Sequence, residues 1–187
     1  FEKINLKNSI YIPGHPVAGI ENSGPKAGFA ELFQNRWTIL TPNKKIDDKA
    51  IKKVTNFWEL LGSKVKIMSD EDHDKILTFT SHLPHVVAYN IVRTSMSNDK
   101  EVKDDIIKYS AGGLRDFTRI AASDPIMWRD IFIDNSDLII QAIDKFIKNL
   151  DEFKKAISEK DSKKLLEIFE KSKDFRKSVI KAGQDTD

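Results

Sequence analysis

The spacing of apolar residues divides this chain into a first part of mixed periodicity and a longer helical part. Short β-rich runs at residues 9–12, 37–40 and 64–68 predict three strands. Between them, residues 27–33 and the apolar positions from Ile51 to Leu61 predict helices. Because strands and helices alternate across short connections, we expect parallel strands with helices on the faces of the sheet.

From Ser69 onward the pattern is helical. Ser69 and Asp72 resemble a capping box, which predicts a long helix starting there, and Pro84 inside that helix predicts a bend. A further helical run follows Gly112 and Gly113. This half therefore predicts a domain built from packed helices.

The most regular stripe begins near Ser136. Its apolar residues are spaced by 4, 3, 4, 3 and 4 positions: Ile139, Ile143, Phe146, Leu150, Phe153 and Ile157. A helix with such a heptad-like stripe must bury it against other helices. Apolar positions between Leu165 and Val179 predict one more helix, which folds back on the first.

The two halves together predict the fold class. Residues 1–68 read as an α/β remnant, the C-terminal part of a doubly wound, Rossmann-like domain, because three strands make only half of such a sheet. Residues 69–187 read as an all-α domain, so the chain is mainly helical overall. We find no internal repeat and no low-complexity linker.

The composition is that of a folded protein in a reducing compartment. Of 187 residues, 40% are hydrophobic and 32% charged, with a net charge of +2. This near balance argues against nucleic acid as the main partner, and no apolar run has the length of a membrane helix. The absence of cysteine fits a cytoplasmic protein. Because the chain begins at Phe1, we expect a processed, trimmed or fragmentary polypeptide.

His15 is the first candidate for catalysis. It lies between Gly14 and Pro16, where a predicted strand ends and a turn begins, and the carboxyl ends of strands in a doubly wound sheet face the ligand crevice. Histidine exchanges protons near neutral pH, which suits a general base. The alternative is a histidine that bonds only to the backbone of the turn.

Arg119 is the second candidate. A guanidinium can grip a carboxylate through two parallel hydrogen bonds, a geometry that lysine does not reproduce. The alternative is a structural salt bridge to Asp116 or Asp124. On the residues alone, the salt bridge is favoured.

The other histidines and a tryptophan have plainer interpretations. His82 and His85 are three residues apart and share a helix face, but no third ligand has suitable spacing, so we predict no metal site. His73 lies in an acidic run and is expected to be a solvated residue at a helix start. Trp128 is expected in the core, the usual position of a helical aromatic residue.

Three motifs follow one another along the chain: Gly-His-Pro-Val-Ala-Gly at residues 14–19, Ser-His-Leu-Pro-His at 81–85, and the stretch at 112–130 with Arg-Asp-Phe-Thr-Arg and Ser-Asp-Pro-Ile-Met-Trp-Arg-Asp. In this order they resemble the motifs of prephenate dehydrogenases, the NAD(P)-dependent enzymes of tyrosine biosynthesis. The resemblance runs from about residue 11 to residue 155. It implies oxidation of prephenate to 4-hydroxyphenylpyruvate with loss of carbon dioxide, NAD or NADP as cofactor, and a homodimer formed by the helical domain.

The resemblance also assigns residues to roles. It implies that His15 meets the ring hydroxyl of the substrate, that Arg119 binds a substrate carboxylate, and that His85 and Trp128 shape the pocket, with a structural role for His82. Gly112, which opens the third motif, and Glu21 are further candidates for substrate binding. Ile20 occupies a position that is often threonine or another small residue in better-known members, which leaves prephenate and arogenate open as substrates.

The cofactor fingerprint is missing from these residues. No Gly-x-Gly-x-x-Gly turn follows a strand, and Gly112 with Gly113 is no substitute, so the family's fingerprint would precede residue 1. Besides prephenate dehydrogenase, the residues leave open an arogenate dehydrogenase, a non-catalytic dimerisation and substrate-binding remnant, and a generic helical interaction module. The last of these explains the heptad stripe but not the histidine and arginine motifs.

Overall fold

The protein contains a three-stranded sheet followed by helices, as seen in a computed structural model that describes residues 9–19 and 24–183. The strands are β1 (Gly14–Val17), β2 (Trp37–Leu40) and β3 (Lys64–Ile67), in the order β1-β2-β3. Central β2 runs antiparallel to β1 and parallel to β3. Its residues Thr38, Ile39 and Leu40 are buried. The predicted fold class, a small α/β part followed by helices, is confirmed.

The first predicted strand is wrong in position and direction. Residues 9–12 form no strand, and pairing starts at Gly14, whose backbone lies so close to β2 that an added Cβ would be 3.0 Å from Leu40 Cδ2. Tertiary contact thus outweighs the β propensity of the Ile-Tyr-Ile run. In its described part, the connection from β1 to β2 contains no α-helix. A parallel return usually needs such a helix, and β1 is antiparallel.

The short helix expected at residues 27–33 is also wrong. A single 3₁₀ turn at Pro25–Ala27 is followed by hydrogen-bonded turns at residues 30–35. The segment is too short to sustain an α-helix without a packed face. It ends at Asn35, whose positive φ of 60° lets its N–H donate to Gly62 O at 2.9 Å.

The remainder of the sheet region agrees with the prediction. Helix α1 (Asp48–Leu60) begins after Asp47, whose carboxylate accepts from Lys49 N, and ends before Gly62, which has a φ of +86°. Strand β3 follows directly and pairs with β2 in parallel register, from Trp37 opposite Lys64 to Leu40 opposite Ile67.

The long helix predicted from Ser69 is interrupted near its middle. Helix α2 (Asp70–Leu77), a π-helical segment (Thr78–His82) and helix α3 (Leu83–Met96) follow one another without a loop. The Leu83 N–H donates to Thr78 O, five residues back, directly before Pro84 enters the first turn of α3. Because proline has no N–H and crowds the preceding turn, the backbone changes its hydrogen-bonding pattern there.

Three shorter helices complete the first compact unit, which covers Phe1–Ile139. They are α4 (Lys100–Lys108), α5 (Gly112–Thr118) and α6 (Pro125–Asp134), and a 3₁₀ turn (Arg119–Ala122) follows α5. The sequence reading missed α4 and did not separate α5 from α6. Asp124 caps α6 by accepting from Ile126 N and Met127 N at 2.8 and 3.0 Å. The buried apolar side chains of this unit are Ile39, Leu40, Leu77, Ala88, Trp128 and Ile139.

The second compact unit, Ile140–Asp187, contains a helical hairpin in its described part. Helix α7 (Ser136–Ser158) enters it from the first unit, and α8 (Ser162–Lys181) begins after Asp161, which accepts from Lys164 N. The rings of Phe153 and Phe169 lie 5.8 Å apart, so α8 folds back on α7 as predicted. No helix in the described part of the chain is both long and apolar enough to cross a membrane.

Candidate active site

His15 lies within β1 rather than after it, which corrects the predicted position at the end of a strand. Its Nδ1 is 2.8 Å from Nε2 of His73, a residue 58 positions later in the sequence. The two rings meet edge to face, with centroids 5.1 Å apart. The first motif and the start of the helical half therefore meet at one point.

His73 is held by the start of α2. Ser69 caps that helix through its hydroxyl, which accepts from Asp72 N at 3.1 Å, and His73 N donates to Ser69 O. The Nδ1 of His73 is 2.8 Å from Oδ1 of Asp74. Since only 19% of the His73 side chain is exposed, the expectation of a solvated residue is wrong. The acidic run supplies a hydrogen-bond partner instead.

The environment of His15 favours the neutral imidazole. Burial of part of its ring, and repulsion between the protonated forms of His15 and His73, both lower the pKa of His15 below its ordinary value near 6.5. A neutral imidazole keeps one nitrogen with a free lone pair, which is the form that accepts a proton. At neutral pH, His15 is thus in the state that a general base needs.

A second hydrogen-bond network begins at the π-helical segment. The Thr78 hydroxyl donates to Asp74 O at 2.7 Å, so its oxygen accepts from Nδ2 of Asn135 at 3.0 Å. The same amide nitrogen lies 3.0 Å from Nδ1 of His82. Because the threonine proton is already donated to Asp74 O, Thr78 Oγ1 can only accept from the Asn135 side chain. The atom that faces Thr78 and His82 is therefore the amide nitrogen of Asn135, and His82 Nδ1 accepts from it. Asn135 therefore ties the end of α6 to the segment that precedes His85.

His85 and Trp128 pack against each other through their rings. The His85 Nδ1–H donates to Ser81 O at 2.8 Å, and the ring stacks on Trp128 with centroids 3.5 Å apart. His82 approaches the same indole edge to face at 6.3 Å. Burial lowers the pKa of both histidines. Trp128 is 6% exposed, as expected for a core residue, and in the described structure its buried Nε1–H has no hydrogen-bond partner.

Arg119 is exposed and opens the 3₁₀ turn after α5. In the same region Asp116 binds Arg115 at 2.9 Å, and Asp124 caps α6. The turn packs on α3, where the hydroxyl of Tyr89, one helical turn after His85, donates to Ser123 O at 3.4 Å. Arg119 therefore lies on a segment that packs against the helix carrying His85.

The remaining predicted site residues are Gly112 and Glu21. Gly112 is the first residue of α5, and an added Cβ would make ordinary contacts with Asp116 and Arg115 at 3.6 and 3.7 Å. Glu21 and Ile20 lie outside the described residues. Among the described residues, no group of three or more histidine, aspartate or glutamate side chains is arranged to hold a metal ion.

The site contains residues that the sequence reading missed. His73 contacts His15 and Asn135 contacts His82, each across more than 50 positions of sequence, and Asp74 contacts His73. Local periodicity carries no signal of such contacts. The one available hint was that all four histidines of the chain, His15, His73, His82 and His85, flank or occupy the first two motifs.

Family models match both halves of the chain. The model described as prephenate dehydrogenase, dimerization domain, matches residues 69–171, and the one described as prephenate dehydrogenase, nucleotide-binding domain, matches residues 2–67. The chain belongs to the prephenate dehydrogenase family. The resemblance of the three motifs is thereby confirmed.

Individual family members cover most of this chain but not most of their own length. A cyclohexadienyl dehydrogenase of Zymomonas mobilis is 44% identical over 172 residues, which are 92% of this chain and 59% of that protein. A prephenate dehydrogenase of Bacillus subtilis is 36% identical over 89% of this chain and 44% of its own length. The chain thus spans less than two thirds of these relatives.

Solved structures agree with the fold. A prephenate dehydrogenase from Aquifex aeolicus, in complex with hydroxyphenyl propionate and NAD+, has a TM-score of 0.83 at 43% identity and covers 90% of this chain and 58% of its own. An arogenate dehydrogenase from Synechocystis has a TM-score of 0.79 at 23% identity, which speaks for the fold alone.

Proposed function

We propose that this chain carries the substrate side of a prephenate dehydrogenase of tyrosine biosynthesis. The reaction is the oxidative decarboxylation of prephenate to 4-hydroxyphenylpyruvate with NAD or NADP. In this proposal residues 1–68 are the C-terminal part of the nucleotide-binding domain, and residues 69–187 bind substrate and form the dimer. The single observation that supports it best is the family motif histidine, His15, with a lowered pKa and a hydrogen bond to His73 at 2.8 Å.

His15 acts as a general base and then returns its proton. It accepts the proton of the ring hydroxyl as that carbon loses hydride, which leaves a ring ketone with the carboxylate still attached. Loss of carbon dioxide makes the ring aromatic and leaves a phenolate, which takes the proton back from His15. No net proton is released, and aromatisation supplies the driving force. The nicotinamide, when bound, supplies the hydride acceptor.

Other residues bind and orient the substrate. Prephenate has two carboxylates, and the exposed Arg119 guanidinium suits a bidentate grip on one of them. His85 and the buried Trp128 shape the pocket, where the unpartnered indole N–H is a donor for a substrate oxygen. Gly112 and Glu21 are the remaining proposed contacts.

The described residues do not supply a site for the cofactor's pyrophosphate. That group is normally held by a glycine turn between a strand and a helix. Here β2 is followed by Thr41-Pro42-Asn43 and β3 by Met68-Ser69. We therefore derive no cofactor geometry, and the choice between NAD and NADP rests on family membership.

A second candidate function is the oxidation of arogenate. The Z. mobilis relative is named for a cyclohexadienyl substrate, a ring class that includes both prephenate and arogenate. Arogenate differs by an amine in place of the side-chain keto group, so the reaction at the ring and the role of His15 are the same. A third, a non-catalytic remnant, keeps the binding residues without turnover. In all three the protein is a cytoplasmic homodimer that binds neither nucleic acid nor membrane.

A steady-state assay separates these candidates. It uses an extended chain, which we define as this chain with the preceding part of the Z. mobilis relative joined to Phe1. We expect prephenate to be oxidised, with a higher kcat/KM than arogenate, and the rates with NAD and NADP identify the cofactor. A reversed preference favours arogenate dehydrogenase. A folded extended chain that binds nicotinamide yet oxidises neither substrate contradicts both enzymatic proposals.

A further inference from the structure

The histidine beside His15 has a partner of its own. Asp74 Oδ1 lies 2.8 Å from Nδ1 of His73, and Nε2 of His73 lies 2.8 Å from Nδ1 of His15. These contacts form one line from a carboxylate through two imidazoles. Its free end is the remaining nitrogen of His15, Nε2.

The direction of each hydrogen bond follows from the Asp74 carboxylate at one end of the line. An ionised carboxylate only accepts, so Nδ1 of His73 carries a proton and donates it to Asp74. In a neutral His73 the other nitrogen, Nε2, then has a lone pair and accepts. The Nδ1 of His15 must therefore be the donor, and Nε2 of His15 is left with the lone pair.

We propose that Asp74 and His73 are positioning residues that hold the proton of His15 on Nδ1 and so keep Nε2 as the nitrogen that accepts the substrate proton. This rests on the proposed function, in which His15 is the general base. Neither residue touches the substrate in this account. Without the pair, a neutral His15 can carry its proton on either nitrogen, and the form protonated on Nε2 cannot accept.

The geometry separates this role from simple packing. The His15 and His73 rings meet edge to face, a contact that phenylalanine at position 73 would preserve. The carboxylate of Asp74 is half exposed, so burial does not explain its placement. The two nitrogen contacts, rather than the ring contact, are what a tautomer-fixing role requires.

The first test reads the tautomer directly and needs no catalysis. Long-range proton–nitrogen correlation spectra of the 187-residue chain show which ring nitrogens carry protons, and the chain has four histidines. The His15 signals are assigned by their loss in His15→Asn. We expect an unprotonated Nε2 in the wild-type protein at neutral pH. A His15 protonated on Nε2 would overturn the proposal.

The second test changes the far end of the line. In Asp74→Ala, the acceptor for Nδ1–H of His73 is removed and the constraint is released, so the Nε2-protonated fraction of His15 should rise. The matched control is Asp72→Ala, which removes the same carboxylate from an exposed position on the same helix and should leave the tautomer unchanged. If Asp74→Ala leaves it unchanged as well, the proposal is wrong.

The third test uses turnover in the extended chain. His73→Phe keeps a ring but removes the acceptor, so we expect kcat to fall by roughly 10–100-fold with KM for prephenate little changed. His73→Gln supplies an amide oxygen that can accept from His15 and should recover much of the loss. Equal kcat values for the phenylalanine and glutamine variants would indicate a packing role and contradict the proposal.

The outcomes also distinguish this proposal from the proposed function. If the tautomer and its response to Asp74→Ala are as expected but the extended chain does not oxidise prephenate, the positioning pair stands and the substrate assignment fails. If prephenate is oxidised but His15 is protonated on Nε2, the function stands and the positioning pair fails.

Discussion

At the scale of single residues, the proposed function assigns proton transfer and substrate anchoring to different segments of the chain. His15 and His73 come together through β1 and α2, while Arg119 lies on a different segment, at the start of the turn after α5. The side chains differ in chemistry as well: an imidazole that exchanges protons and a guanidinium that stays charged. Substitutions at the two places should therefore affect different kinetic constants.

Replacing Arg119 with alanine in the extended chain should raise KM for prephenate steeply. A lost carboxylate grip weakens substrate binding, whereas KM for the nicotinamide should stay near its wild-type value. Initial-rate kinetics with each substrate varied in turn measures both constants. Arg115→Ala is the control, since Arg115 pairs with Asp116. An unchanged KM for prephenate in a folded Arg119→Ala protein would assign Arg119 a structural role.

Candidate site residues are predictable where a motif contains them. The motifs select His15, Arg119, His85 and Trp128, and the structure places the ring of His85 against Trp128. The contact of His73 with His15 is not predictable in this way, because the acidic neighbours of His73 predict a solvated position and the two residues are 58 positions apart. A single sequence encodes that contact only through the complete fold.

At the scale of elements, the π-helical segment connects the two helices that carry His73 and His85. It lies between α2, which carries His73, and α3, which carries His85, and it contains His82. Thr78 and Asn135 hold it by hydrogen bonds to Asp74 O and to His82 Nδ1. The position of His85 against Trp128 thus depends on the segment that these hydrogen bonds hold.

Replacing Asn135 with alanine should lower the free energy of unfolding by about 1–3 kcal/mol, because Thr78 and His82 each lose a hydrogen-bond donor in a partly buried place. Urea denaturation followed by circular dichroism measures the change. Asn149→Ala, at an exposed position on α7, is the control and should have little effect. A loss no larger than that of the control would mean that these hydrogen bonds do not stabilise the π-helical segment.

The same histidines predict how stability depends on pH. The folded-state pKa values of His15, His82 and His85 are lowered, so as pH falls below about 6.5 the unfolded chain takes up protons first. The unfolded state then binds more protons, and the free energy of unfolding falls. Thermal melts should show a lower midpoint at pH 5.5 than at pH 7.5, with a smaller difference in a His82→Gln, His85→Gln double variant. A midpoint that rises on acidification would contradict these shifts.

Elements with strong periodicity were predictable, and those decided by pairing were not. The regular stripe predicts α7, the apolar positions from Ile51 to Leu61 predict α1, and the capping box at Ser69 predicts the start of α2. Strand β1 was misplaced because the fit of Gly14 against Leu40, not local propensity, selects which residues pair. Helix α4 is absent from the sequence-based prediction, although Asp99 and the apolar Val102 and Ile106 follow a helical pattern.

At the scale of the whole molecule, the helical hairpin leaves many large apolar side chains exposed. On α7 and α8 the exposed large apolar residues are Ile140, Phe146, Ile147, Leu150, Ile157, Leu166, Phe169, Phe175, Val179 and Ile180. Such a surface is unusual for a monomer and typical of a protein interface. It lies largely in the region matched by the dimerization-domain model, residues 69–171.

Sedimentation at micromolar concentration should therefore give about twice the chain mass of 21.4 kDa. Phe175→Glu puts a charge on an exposed apolar position of α8 and should shift the protein towards the monomer. Lys173→Glu is the control for a charge change on the same helix and should leave the dimer intact. A clean wild-type monomer at this concentration would contradict the proposed homodimer.

The central claim, that this chain supplies the substrate side of a prephenate dehydrogenase with His15 as its base, is tested most directly by one comparison. Prephenate-dependent reduction of the nicotinamide is measured in the extended chain and in its His15→Asn variant. Asparagine keeps a hydrogen-bonding group but cannot accept the proton, so we predict a fall in kcat of about 10²–10⁴-fold with KM for prephenate little changed. A folded His15→Asn protein that retains wild-type kcat would contradict the account.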